Sequence, residues 1–112
     1  MKNEKEIEET ERKKVDYVFD EGKDLKEIWN AIDSTYTSHY AQNKIQSTEF
    51  IADAGHGEGF CIGNIIKYAQ RYGKKGGINR NDLTKVVHYV IIMLYLHDNY
   101  YQRETENLNE SK

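Results

Sequence analysis

Between Asn64 and Tyr89 the chain carries six basic side chains, Lys67, Arg71, Lys74, Lys75, Arg80 and Lys85, against a single acid, Asp82. The formal net charge of the whole chain is −3, so this is a cationic segment in an acidic protein, and the chemistry it offers is the holding of anions. Gly76 and Gly77 follow Lys74 and Lys75 directly and stand before a predicted helix start. Glycines in that place let a ligand approach the backbone N–H groups, and a helix N-terminus adds a partial positive charge. With Lys67, Arg71, Lys74 and Lys75 as mobile cations, and Arg71 able to grip two oxygens at once, these features describe a pocket for phosphate groups. The same residues also suit a plain helix-ending turn, in which lysines complement the negative helix end and a glycine completes the cap. Tyr68 and Tyr89 offer ring faces on which a base could stack, although tyrosines in helices more often serve packing.

No catalytic group is identified by residue type and spacing. The lysine-rich turn lacks both the spacing of a P-loop and its following Ser or Thr. His39, His56, His88 and His97 have no ligand-like spacing, which argues against a catalytic metal. Glu49 and Asp53 fall one helical turn apart and read either as a Mg²⁺ pair or as a solvated face. Gly55, Gly57 and Gly59 look like part of a dinucleotide fingerprint, but no strand precedes them, so they predict a flexible connection between helices. The lone Cys61 reads as a small buried apolar residue. The acidic balance excludes a general nucleic-acid coat, and the longest apolar run, Tyr89 to Leu96, is too short to cross a bilayer. With no secretory signal, the expected place is the cytoplasm.

The elements that must position these residues are predicted to be helices, since the chain has no proline and its apolar residues recur at helical spacing. The expected architecture is all-α: a small bundle of three to five helices with a long C-terminal helix. One domain is expected over residues 15–101, with a flexible charged arm at 1–14 and a flexible tail at 102–112. Val15, Val18 and Phe19 predict helix, Gly22 interrupts it, and Leu25, Ile28, Trp29 and Ile32 form a second stripe. Residues 34–44 show no period and predict a surface loop, followed by a short helix capped by Ser47 or Thr48 that buries Phe50 and Ile51. A helix from about Phe60 to Tyr72 is expected to turn Ile62, Ile65, Ile66, Ala69 and Tyr72 inward, while Asn64, Lys67, Tyr68 and Arg71 project together from another face. The last helix should start between Asn79 and Asp82, capped by Asn79 or Asn81, and run to about Tyr100. Its core stripe is Leu83, Val86, Val87, Val90 and Leu94, but Ile91, Ile92, Met93, Tyr95 and Leu96 make it apolar nearly all round. Such a helix needs cover on more than one side, which predicts a homo-oligomer.

The run Gly63-Asn64-Ile65-Ile66-Lys67-Tyr68, then Arg71, Gly73-Lys74-Lys75-Gly76-Gly77, Asp82-Leu83, Lys85 and Tyr89 resembles a widespread family of small phage proteins of unknown function, termed SaV-like. His39-Tyr40 and Glu49-Phe50-Ile51 resemble that family's opening motif. The family includes the P-loop-less nucleotide kinase of bacteriophage T7. The likeness spans residues 39–94 and leaves 1–38 outside it. It implies nucleotide handling in the cytoplasm of a phage-bearing host cell. The expected ligand-binding set is then His39, Tyr40, Asn64, Lys67, Tyr68, Arg71, Lys74, Lys75, Gly76, Gly77, Asp82, Lys85 and Tyr89. Three functions are open on these residues. One is a nucleoside monophosphate kinase, in which Mg²⁺ bridges the phosphates and His39 or Asp82 is available to assist. The second is a non-catalytic sponge for a nucleotide signal, such as a cyclic dinucleotide of antiphage defence. The third is a phage protein that docks on a host protein through its apolar last helix. No cofactor beyond that Mg²⁺ is expected.

Overall fold

The computed structural model of the chain describes residues 14–74 and 76–101, the side chain of Tyr101 excepted. The expected arm, apart from Lys14, and the expected tail at 102–112 lie outside the described residues. Four α-helices follow in order: α1 Glu21–Thr35, α2 His39–Asp53, α3 Gly57–Arg71 and α4 Arg80–Leu96. A π-helical turn, His97–Tyr101, continues the last of them. No strand occurs among the described residues, so the protein is a small all-α bundle.

Local chemistry places the helix starts, and in two cases it corrects the sequence reading. Residues 14–20 are not helical. Asp20 adopts the left-handed conformation at φ 58, which breaks a helical path before Glu21. Gly22 therefore lies inside α1, with the Tyr17 ring 3.2 Å from where its Cβ would stand. Glu21 and Asp24 then occupy the first turn of α1, where acids complement the helix dipole. In α2 the hydroxyl of Ser38 accepts from the Ala41 N–H at 3.1 Å, so the helix begins at His39 and the expected loop shrinks to residues 36–38. Thr48 is a mid-helix residue whose hydroxyl donates to the Lys44 carbonyl, and Phe50 points to solvent, 77% exposed. Ile51 is half-buried as expected, and the half-buried side of α2 runs through Ala41, Ile45, Thr48, Ile51 and Ala52, where only the two isoleucines give a hydrophobic signal.

α3 and α4 form an antiparallel hairpin and share the most extensive packing in the molecule. Gly57 makes the closest approach. A Cβ there would stand 2.9 Å from Leu96 Cδ1 and 3.2 Å from Ala52 Cα, so α2, α3 and α4 meet at a point that only a hydrogen can occupy. The expected glycine-rich connection is correspondingly short, since Gly57 and Gly59 belong to α3. The hydrophobic side chains fully buried among the described residues are Cys61, Tyr68 and Leu96, all in this hairpin seam. Burial also pushes the Cys61 thiol up, which keeps it protonated as an apolar filler. The seam departs from the predicted stripes on both helices. Ile62, Ile66, Ala69 and Tyr72 of α3 are exposed, as are Val90 and Leu94 of α4, while Ile65, Val86 and Val87 are half-buried as expected and Leu83 lies against α1. Two apolar stripes compete on each helix, and the seam forms where small residues admit close approach and aromatic rings interlock.

Candidate functional site

The hairpin seam ends in an aromatic cluster that carries positive charge. Tyr68 of α3 stacks on Tyr89 of α4, with ring centroids 6.1 Å apart and an interplanar angle of 15°. Phe60 meets Tyr89 edge-on at 5.9 Å. Two ammonium groups lie over the Tyr68 ring, Lys67 Nζ at 4.5 Å and Lys85 Nζ at 4.9 Å from its centroid. The negative ring face offsets part of the repulsion between them. Burial pushes the Tyr89 phenol up, with Tyr68 and then Cys61 adding to the shift, so it stays protonated and neutralises neither lysine.

α2 completes the arrangement. A small cavity of about 110 Å³ lies between α2 and α4, and its lining includes Lys44, Lys85, Tyr68, Tyr89 and His88 but no carboxylate. Lys44 Nζ is itself held 5.7 Å from the Tyr40 ring centroid. Among the described residues no carboxylate forms an ion pair with Lys44, Lys67 or Lys85. This cavity shares Ile45, Thr48, His88 and Ile92 with a larger one of about 440 Å³. Together they make a trough along α2 and α4. Its far end is acidic, with Glu49 and Asp53 in the lining and the Tyr100 hydroxyl 3.1 Å from Asp53 Oδ1. His88 lies where the cavities join and also lines a third, of about 250 Å³, beside Ser34 and Asn81. Burial pushes its imidazole below the ordinary value of 6.5, so at neutral pH it is an uncharged group with one donor and one acceptor.

The expected ligand set separates into residues brought together and residues left apart. Lys67, Tyr68, Lys85 and Tyr89 converge, although Tyr68 is only 5% exposed and already packed by Tyr89, so its ring serves the lysines rather than a base. Asn64 is half-buried, and its amide donates to the Phe60 carbonyl one turn back. His39 and Tyr40 are exposed at the start of α2. The turn between α3 and α4 stands apart from the trough lining. Arg71 and Lys74 are exposed there, and Lys75 lies outside the described residues. Gly76 and Gly77 take φ 76 and 88, conformations the turn itself requires. The Gly77 N–H donates to the Lys74 carbonyl and the Gly73 N–H to the Gly77 carbonyl. The start of α4 is likewise occupied: the Asn79 side chain accepts from the Asn81 N–H at 3.0 Å. Asp82, 4% exposed, places a carboxylate in the first turn, where it takes up the dipole that an anion would use. Arg80 is drawn away to α1, with Nε 2.6 Å from Glu27 and Nη2 2.8 Å from Asp24.

Lys44, Thr48 and His88 belong to the trough and are absent from the expected set. A capping serine at 38 followed by Ala41, Ile45, Thr48 and Ala52 is a helical repeat that places Lys44 beside the inner face. His88 follows Lys85 by three residues, one turn along the same side of α4.

The sequence profile of DUF3310, a family of proteins of unknown function, matches residues 34–91, so the chain belongs to that family. The match takes in α2 and α3 whole and most of α4. No curated protein and no solved structure matches.

Proposed function

We propose that this DUF3310 protein binds a phosphate-bearing small molecule of the nucleotide class in the trough between α2 and α4. The observation that carries the reading is that Lys44 and Lys85, without carboxylate partners among the described residues, line one end of the trough together with Tyr68, while Lys67 lies with Lys85 over the Tyr68 ring. Phosphates are held at the lysine end, where charge-assisted hydrogen bonds replace their water. The sugar and base lie along the larger cavity, whose volume of about 440 Å³ falls in the ~300–1,000 Å³ range of small-molecule sites. Ile32, Ile45 and Ile92 give it apolar walls, and Glu49 and Asp53 offer acceptors to amino groups on a base. The likeness to a phage family that includes a nucleotide kinase points the same way.

Two uses of such a site differ in chemistry. In phosphoryl transfer, Mg²⁺ would arrive bridging the nucleotide's own phosphates, while the lysines stabilise charge and position the groups. In sequestration, the ligand is held and returned intact. The two uses differ in the fate of the ligand, which the experiment below reads directly.

Isothermal titration with nucleoside mono- and triphosphates and with a cyclic dinucleotide tests the site. Lys44→Ala and Lys85→Ala are each expected to weaken binding roughly 10- to 100-fold, the loss of one charge-assisted contact of about 1.5–3 kcal/mol, and more when combined. Arg71→Ala with Lys74→Ala should leave it nearly unchanged. The reverse pattern would return the site to the turn, and no binding by the wild-type chain would end the proposal. Labelled phosphate moving between nucleotides identifies the kinase, and intact recovery identifies the sponge.

A further inference from the structure

The hairpin has a second face, on the side away from α2, and it is apolar. α2 packs over the side of α4 that carries Lys85, His88, Ile92 and Tyr95, since these line the cavities it shares with α2. α1 meets Leu83, Thr84 and Val87. Neither helix covers Val90 and Leu94 of α4, which are 42% and 58% exposed, nor Ile62 and Ile66 of α3, which are 41% and 60% exposed. Each pair sits at a spacing of four on its helix, so each lines up along one side. Helix geometry turns the two stripes to the same side of the antiparallel hairpin. Half-buried Ile65 and Met93 lie between them, and no charged residue interrupts the sequence from Cys61 to Ile66 or from Val86 to Leu96.

We infer that this face is the contact between two copies of the chain, which pack hairpin against hairpin as a four-helix bundle about a two-fold axis. Three arguments select a second copy. The first is area: the four exposed side chains leave on the order of 400 Å² of apolar surface, within the range of the largest patches on lone proteins. With half-buried Ile65 and Met93 the face reaches about 500 Å² per copy, about 1,000 Å² for the pair, the lower bound of a specific interface. The second is the supply of cover within the chain. Residues 1–13 and 102–112 hold only Met1, Ile7 and Leu108 as large apolar side chains, too few to bury such a face. The third is its lack of charge. A foreign partner is usually selected by complementary charges at the contact, whereas the uncharged centre of a two-fold interface needs only to match itself. The contact adds a core to a protein that fully buries only Cys61, Tyr68 and Leu96 among its described hydrophobic residues, and it leaves the trough on the opposite side open.

Sedimentation velocity of the full chain over a concentration series tests this. The wild type is expected to sediment as a dimer, twice the 13.2 kDa of one chain. Ile66→Glu with Leu94→Glu should convert it to a monomer with its helical circular dichroism retained. Phe50→Glu, at a more exposed apolar residue on α2, should leave the dimer intact. Should the double variant fail to fold, Ile66→Gln alone is expected to weaken association at least tenfold. A wild-type monomer at ~100 µM would assign the face to a foreign partner and overturn the inference, as would a dimer indifferent to Ile66→Gln. Lys44→Ala with Lys85→Ala should leave the dimer mass unchanged, which separates this result from the fate of the ligand site.

Discussion

The turn joining α3 to α4 and the cluster around Tyr68 are both rich in positive charge, and they differ in what surrounds that charge. At the turn, Arg71 and Lys74 stand in water, the backbone N–H groups of Gly73 and Gly77 are taken by turn carbonyls, and Asp82 sits in the adjoining first turn of α4. Around Tyr68, Lys67 and Lys85 from α3 and α4 lie over a nearly buried ring, and Lys85 lines a cavity with Lys44 of α2. A cation in bulk water gains about 1 kcal/mol from a nearby anion, and several times more beside low-dielectric walls. The contrast between the two regions is thus one of enclosure rather than of lysine density along the chain, and it is the reason the proposed site is the trough.

The sharpest way to break this contrast is through stability. Tyr68→Ala removes a buried ring from the hairpin seam and is expected to cost about 3–5 kcal/mol, as other aromatic truncations in cores do. Arg71→Ala and Lys74→Ala should each stay within about 0.5 kcal/mol of the wild type, as exposed substitutions do. Urea unfolding followed by circular dichroism measures all three. Equal losses at Tyr68 and Arg71 would show that the turn is as integral as the cluster.

That contrast also explains what could be read before folding. The all-α class and the start of α4 at Asn79 follow from local rules: absence of proline, a helical period and a capping side chain. The first half of α2 is hard to read because only Ile45 and Ile51 among its inner positions are large and apolar, Ala41, Thr48 and Ala52 being small or polar, and because its largest apolar residues, Tyr40 and Phe50, face water. Lys67, Tyr68, Lys85 and Tyr89 were visible as neighbours along two adjoining helices. Lys44 and His88 come together across α2 and α4, a relation that no spacing within either helix encodes. The inward side of α3 is only partly legible for a related reason, with Ile65 half-buried as its stripe predicts and Ile62 and Ile66 exposed. Its isoleucines are more apolar than Gly57, Cys61 and Tyr68, yet the seam selects close approach and ring packing over hydrophobicity alone.

A second comparison concerns the way each region is held. The turn depends on a cap, so Asn79→Ala should lower stability by about 1 kcal/mol, seen as a lower Tm, with ligand binding unaffected. If binding fell with it, the turn would have a role in the site beyond holding α4. The trough depends on an uncharged His88. Its folded pKa lies below the unfolded value near 6.5. Between the two values the unfolded chain binds more protons, so stability falls as pH drops through that window and is insensitive to this residue above it. His88→Gln should flatten the difference between urea midpoints at pH 7.5 and pH 5.5. An unchanged difference would mean that the imbalance arises elsewhere.

The vertex at Gly57 has a mechanical consequence for the trough. Ala52, near the end of α2, is set there against the start of α3 and the end of α4, so any side chain larger than hydrogen at position 57 would push α2 off the hairpin and alter the spacing of the cavity walls that α2 and α4 share.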